Sequence, residues 1–87
     1  LLNYQIGKLA ALNNMELDKG EQKLFIYLQN YSGDEESNKA WAHYRLAQIY
    51  KHKRNKKVAL KFIDLAIAES PKNKPFDDEK EMILNLK

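Results

Sequence analysis

The sequence predicts an all-α protein, and three observations support this interpretation. Apolar residues recur at spacings of three and four along most of the chain, which is the period of an amphipathic helix. Glycine, proline and asparagine are sparse and interrupt the pattern at only a few places. No segment shows the alternation typical of a half-buried strand. We therefore expect about five helices, packed as antiparallel hairpins.

The bulk composition predicts one small soluble domain. The chain has 87 residues, of which 44% are hydrophobic and 31% are charged. No apolar run approaches the roughly 20 residues that span a bilayer. The absence of cysteine excludes disulfides and thiolate metal sites but leaves the cellular compartment open. Because the helical pattern is already present at Leu1, we expect the chain to be a fragment of a longer protein.

Two helices are predicted in the first part of the chain. The first covers residues 2–12 and ends near Asn13-Asn14, because asparagine tolerates left-handed backbone. We expect it to bury Leu2, Ile6, Leu9 and Ala10. The second covers residues 16–29 and is expected to bury Leu17, Gly20, Leu24, Phe25 and Leu28, with Tyr27 and Tyr31 near the edge. The polar segment 32–37 is predicted to be a linker that separates two helical pairs.

Three more helices are predicted after this linker. The third, residues 38–53, follows an N-cap at Ser37 and has more than one apolar face, formed by Trp41, Tyr44, Leu46, Ala47, Ile49 and Tyr50. The fourth, residues 56–69, is capped by Asn55 and buries Val58, Ala59, Phe62, Ile63, Ala66 and Ile67. Ser70-Pro71 ends the fourth helix, and the last helix begins at Pro75. We expect it to bury Phe76, Met82 or Ile83, and Leu86.

The chain also contains an internal repeat. The segment YQIGKLA at residues 4–10 matches YRLAQIY at residues 44–50, so that Gly7 corresponds to Ala47. At an offset of 39, Gly20 corresponds to Ala59 in the second helix of each pair. A glycine inside a helix costs about 1 kcal/mol relative to alanine. We therefore expect both glycines to lie where two helices approach closely.

The second hairpin resembles the tetratricopeptide repeat. Leu46-Ala47 and Tyr50 occupy the Leu-Gly and Tyr positions of that pattern, and Ala59, Ile63 and Pro71 follow at the Ala, Phe and Pro positions. His43 stands where the family has Trp, and the first hairpin is degenerate, with Asn3 and Ser32 at the Trp and Pro positions. The resemblance implies a short right-handed solenoid of two repeats, about 1–31 and 38–71, with a capping helix at about 75–87.

A basic cluster lies between the third and fourth helices. Five of its seven positions are cationic: Lys51, Lys53, Arg54, Lys56 and Lys57. Without them the rest of the chain carries a net charge of −2, whereas nucleic-acid-binding proteins usually spread cations over a face. A solvated turn is the favoured interpretation, ahead of phosphate or import-factor binding and of attraction to an anionic membrane surface.

The sequence offers little for catalysis. His43 and His52 are nine residues apart on one predicted helix and lie on opposite sides of it, so they cannot share a metal ion. The acids at 34–36 and 77–79 suit a linker and a helix start, and no glycine-rich phosphate loop occurs. We therefore expect no enzyme activity, no metal and no cofactor.

A binding function agrees better with the residues. In tetratricopeptide arrays the first helix of each hairpin lines a concave groove that holds a peptide or a partner's helix. By resemblance the groove would contain Tyr4, Lys8, Trp41, Tyr44, Arg45, Gln48 and His52. Trp, Tyr and Arg dominate interface energies, and cations suit acidic partners. The alternative is that Trp41 packs under the linker and Tyr44 packs against Tyr4.

These observations predict a protein–protein interaction module or scaffold that binds a peptide or helix. Two alternatives remain at this stage. The chain could be an accessory or oligomerisation domain of a larger enzyme, or it could bind nucleic acid through residues 51–57, which is the least favoured class. The partner, the compartment and the oligomeric state do not follow from the sequence.

Overall fold

A computed structural model describes residues 2–31 and 36–87 of the chain. Five α-helices follow one another in these residues: α1 (Leu2–Asn13), α2 (Leu17–Gln29), α3 (Glu36–His52), α4 (Lys56–Glu69) and α5 (Lys74–Leu84). The described part of the chain contains no strand. The predicted all-α class and the number of helices are confirmed.

The helices are arranged as two hairpins and a closing helix. α1 pairs with α2 and α3 pairs with α4, while α3 also packs on both helices of the first hairpin. α5 packs on α4 and, over a smaller area, on α3. The largest fully buried apolar side chains come from α2 to α5 and belong to one core: Leu24, Leu46, Ile49, Ile63, Phe76 and Ile83.

α1 does not bury the face that its sequence predicts. Ala10 is buried, but Leu2 and Leu9 are 73% and 57% exposed. Among the described helices α1 contacts only α2 and α3, and its buried residues are the small ones, Gly7, Ala10 and Ala11. The predicted burial of Leu2 and Leu9 is therefore wrong, because no described helix covers that side of α1. The predicted burial of Phe25 in α2 is also wrong, since this side chain is 40% exposed.

Local signals explain most helix ends. α1 ends at Asn13, and Asn14 has the left-handed backbone expected of it, with φ of 51°. Asn55 caps α4 as predicted, because its side-chain oxygen accepts a hydrogen bond of 3.2 Å from the Val58 N–H. α4 covers Lys56–Glu69, which are the predicted bounds.

Three helix starts differ from the prediction, that of α2 by one residue, since it begins at Leu17. α3 extends back to Glu36, so Ser37 lies inside the helix and is not its cap. The linker residues 32–35 lie outside the described residues. α5 begins at Lys74 with Pro75 in its first turn, and Ile83 is buried whereas Met82 is half-exposed.

The two helical glycines mark the closest approach of α1 and α2. A Cβ atom built at Gly7 would collide with the side chain of Leu24, which is fully buried. A Cβ atom at Gly20 would collide with the Cβ of Ala10 and would lie 3.7 Å from the Cα of Gly7. The two backbones are therefore nearly in contact, as predicted from the small residues at matching positions of the internal repeat. Gly20 also faces the second hairpin, since its Cβ would lie 3.3 Å from Ile49 Cδ1.

Replacing Gly7 by leucine should destabilise the protein. Helix propensity alone favours leucine by nearly 1 kcal/mol, whereas overpacking against Leu24 costs typically 1 to 3 kcal/mol. Because α2 cannot move away without losing the core around Leu24, we expect the packing cost to exceed the propensity gain. Urea unfolding should show a lower midpoint for Gly7→Leu. Gln5→Leu, on an exposed position of the same helix, is the matched control, and equal stability of the two variants would contradict the close approach.

Candidate functional site

Arg45 connects three of the predicted groove residues. Its Nε donates a hydrogen bond of 3.4 Å to the Tyr4 hydroxyl on α1, and its Nη1 donates one of 3.0 Å to Gln48 Oε1 on α3. The guanidinium carbon lies 4.9 Å from the centroid of the Tyr44 ring, within the range of a cation–π interaction. All four side chains are half-buried. Arg45 thus joins the first helices of the two hairpins into one surface.

Trp41 and Tyr44 extend this surface towards α5. The two rings pack edge to face at a centroid distance of 5.2 Å. Phe76 of α5, fully buried, lies 4.8 Å from Trp41 and 5.0 Å from Tyr44. The groove predicted from the sequence omits Phe76. Phe76 and Ile83 are seven positions apart and therefore lie on the same side of α5. This spacing is the sequence signal that Phe76 belongs to the packed face of the helix.

Glu79 is the second residue that the predicted groove omits. This carboxylate is 1% exposed, and its Oε1 accepts a hydrogen bond of 3.3 Å from Gln48 Nε2. Its Oε2 lies 2.5 Å from Lys51 Nζ, which makes an ion pair by distance. Oε2 accepts no hydrogen bond of favourable geometry from the described residues. The attraction of the Lys51 charge therefore offsets the cost of burying this carboxylate. An acid one turn after Phe76 on an apolar face is the signal for such a pair.

The remaining predicted groove residues have different environments. Lys8 is half-buried and lies one turn after Tyr4 on α1. His52 Nε2 donates a hydrogen bond of 2.8 Å to the carbonyl oxygen of Ala11, so this histidine fastens the end of α3 to α1. The structure therefore brings together Tyr4, Trp41, Tyr44, Arg45 and Gln48, which we call the Arg45 cluster, and assigns His52 to the contact between hairpins.

The basic cluster contributes three of its five cations to internal contacts. Lys51 pairs with Glu79 as described, and Lys53 Nζ lies 2.5 Å from Asp18 and 3.0 Å from Glu21, both on α2. Lys56 Nζ donates a hydrogen bond of 2.9 Å to the carbonyl oxygen of Leu84 at the end of α5. Arg54 and Lys57 are exposed in the turn and at the start of α4. Most of this charge therefore holds the hairpins and α5 together.

Tyr50 and Lys53 have perturbed proton affinities at the contact between α2 and α3. Burial, assisted by a hydrogen bond with Glu21, raises the pKa of Tyr50 to about 12. The carboxylates of Asp18 and Glu21 raise the pKa of Lys53 above its usual value. In the Arg45 cluster, burial and the nearby charge of Glu79 raise the pKa of Tyr44. All three shifts favour the protonated forms in the folded protein.

His43, at the position where the tetratricopeptide pattern has Trp, forms a polar contact inside the second hairpin. Its Nδ1 lies 2.6 Å from Glu69 Oε1, and its ring stacks on Phe62 at 6.0 Å. In the residues that the structure describes, no three His, Asp or Glu side chains are grouped as a metal site would require. None of the described helices combines the length and the apolarity needed to cross a membrane.

Removing one partner of the Lys51–Glu79 pair should be costly. In Lys51→Met the carboxylate of Glu79 stays buried without its cation, and breaking such pairs costs about 3 to 5 kcal/mol in fully buried sites. Lys51 retains partial exposure, so we expect about 2 kcal/mol or more. The double variant with Glu79→Met should recover much of this loss in urea unfolding. Lys74→Met, which breaks an exposed pair with Asp78, should cost less than about 0.5 kcal/mol.

The pKa shifts predict loss of stability at high pH. Tyrosine ordinarily loses its proton near pH 10, so the unfolded chain ionises before the folded one. The contribution of neutral Tyr50 is complete below about pH 10 and disappears as the pH rises to about 12. Urea unfolding from pH 8 to 12 should show a shallower decline for Tyr50→Phe and for Glu21→Gln. Parallel curves for the wild type and Tyr50→Phe would contradict this assignment.

No known protein family, curated protein or solved structure matches this chain. The resemblance to tetratricopeptide repeats therefore stays a prediction that rests on the residues quoted above. The Arg45 cluster is the strongest candidate for a functional site because it combines aromatic rings and a cation on a half-exposed surface between hairpins.

Proposed function

We propose that the chain is a non-enzymatic protein-interaction module that binds a peptide or a helix of another protein along the Arg45 cluster and Lys8. The observation that carries this proposal is the arrangement of Arg45 itself. It lies over Tyr44 at 4.9 Å and over Trp41 at 5.8 Å while it bonds to Tyr4 on the neighbouring hairpin. Arg45 thus contacts three aromatic side chains that belong to two hairpins.

The chemistry of the cluster supports a protein partner. Arg, Trp and Tyr are the residue types that contribute most at protein interfaces, since they offer large contact areas together with hydrogen bonds. The two hydrogen bonds of Arg45 use two of its five N–H donors. The other donors suit a carboxylate, which binds guanidinium with two parallel hydrogen bonds. An acidic side chain of the partner is therefore expected beside an apolar one.

The rigidity of the cluster also supports binding. Phe76 of α5 packs against the rings of Trp41 and Tyr44. Glu79 of α5 accepts a hydrogen bond from Gln48. Side chains that are already fixed lose little conformational entropy when a partner binds. The internal repeat and the resemblance to tetratricopeptide repeats also favour a scaffold function, in which the chain binds other proteins. An accessory role in a larger enzyme uses the same surface against another domain and is the second candidate.

The basic cluster supports a nucleic-acid function less well. Phosphate binding requires cations that can turn towards the ligand, and each one contributes to the salt dependence of binding. Lys51, Lys53 and Lys56 are already bound to acids or to a carbonyl oxygen of this chain. Only weak, non-specific binding to phosphates is expected from the other two.

Substitution of Arg45 should weaken partner binding while it preserves the fold. An array of acidic and aromatic peptides provides the first ligands, and their affinities are then measured by fluorescence anisotropy. We expect Arg45→Ala to lower the affinity at least about tenfold, because buried interface arginines contribute on the order of 2 kcal/mol. Arg45→Lys keeps the charge but not the planar fork and should be intermediate.

Lys61→Ala, on the exposed side of α4, is the matched control and should leave the affinity unchanged. Circular dichroism of each variant verifies that the helices remain. Peptides that bind wild type and Arg45→Ala equally would exclude the Arg45 cluster as the binding surface, without affecting the assignment of the fold.

A further inference from the structure

A second surface of the protein, on the side of α1 opposite Tyr4, is apolar and exposed. Leu2 and Leu9 of α1 are 73% and 57% exposed, and Met15 in the following turn is 66% exposed. Ile6 lies between the two leucines on the same side of the helix. We call these four residues the α1 face. Ile6, Leu9 and Met15 border an open groove of about 330 Å³ between α1 and the start of α2.

The internal repeat shows that this face has the pattern of a buried one. At the 40-residue offset, three residues of the α1 face correspond to fully buried residues of α3: Leu2 to Ala42, Ile6 to Leu46 and Leu9 to Ile49. In α3 this side of the helix packs on the first hairpin, where Ile49 faces Gly20. The α1 face therefore has the residue pattern of a helix face that packs on other helices, and a helix is the shape that fits it.

The turn after α1 contributes to the groove. Asn14 and Glu16 both have left-handed backbone, with φ of 51° and 50°. This conformation is unfavourable for glutamate, and costs roughly 1 kcal/mol or more. It places Met15, Glu16 and Lys19 along the same groove as Ile6 and Leu9. The rim thus carries one acid and one base beside an apolar centre.

We propose that the α1 face binds the α1 face of a second copy of this chain, forming a twofold-symmetric dimer. In a twofold interface each residue of one copy meets its partner in the other, so the surface must be complementary to itself. The apolar centre satisfies this requirement, since leucine and methionine pack against like residues. The rim satisfies it as well, because Glu16 of each copy can face Lys19 of the other. A surface with only one sign of charge would repel its own copy.

The size of the face indicates weak association. Standard stable interfaces bury roughly 800 Å² per partner, and one helix with one turn provides less. We therefore expect a dimer with a dissociation constant on the order of 10 to 100 µM. Because Leu2, Ile6 and Leu9 lie on the side of α1 opposite Tyr4 of the Arg45 cluster, the dimer leaves both copies of the cluster free to bind ligand. The proposal does not depend on the proposed peptide-binding function.

Sedimentation equilibrium of the 87-residue chain, from about 5 µM to 1 mM, tests the dimer directly. The average mass should rise from that of one chain towards that of two. Leu9→Glu should keep the protein monomeric over this range, because a charge would have to be buried at the centre of the contact. Leu65→Glu, at a leucine of α4 that is 39% exposed, is the matched control and should dimerise as the wild type does.

A charge exchange tests the twofold geometry. Glu16→Lys and Lys19→Glu should each weaken the dimer at least about threefold, since each leaves two like charges facing one another. The double variant should restore association to nearly the level of the wild type. Thermal melts by circular dichroism verify that all variants stay folded.

A chain that remains monomeric up to 1 mM would overturn the proposal and would leave the α1 face to a helix of another protein. An equal loss of association in Leu9→Glu and Leu65→Glu would also overturn it. So would a double charge variant as weak as the two single variants, because the two rim residues would then not face one another.

Discussion

The structure depends on the close approach of α1 and α2 at Gly7 and Gly20. A Cβ atom at either glycine would collide with a buried neighbour, so only a missing side chain permits this distance. The approach brings Leu24 under Gly7 and Ile49 over Gly20, which joins the first hairpin to the second. The loss of helix propensity at two positions is offset by the burial of two large aliphatic side chains, each worth on the order of 2 kcal/mol.

The contacts that join the hairpins to each other and to α5 are more polar than the contact between α1 and α2. His52 and Lys53 fasten the end of α3 to the first hairpin through a carbonyl oxygen and two carboxylates. Lys51 holds α5 through the buried Glu79, which also orients Gln48 beside Arg45. The cations that look like a binding signal in the sequence therefore have structural partners. The surface that is left for binding consists of half-buried aromatic rings with Arg45 among them.

The sequence predicts the helices well because their signals are local. The cap at Asn55 and the left-handed Asn14 each act within one turn. The glycines at the repeat positions lie at the contact between two helices that follow one another in the chain. It predicts the burial of Leu2 and Leu9 wrongly, because periodicity identifies an apolar face but does not say whether another helix covers it. The same limit applies to Lys51 and Glu79, which are 28 residues apart and meet only after α5 has docked. Long-range pairs of this kind leave no periodic signal.

The distance between the backbones of Gly7 and Gly20 tests the account most directly. A nuclear Overhauser experiment on isotope-labelled protein measures whether their α-protons are in contact. The account predicts a strong cross peak between the two residues, since the Cβ position at Gly20 lies 3.7 Å from the Cα of Gly7. Absence of that cross peak, with both glycine resonances assigned, would contradict the close packing on which the two hairpins and the Arg45 cluster depend.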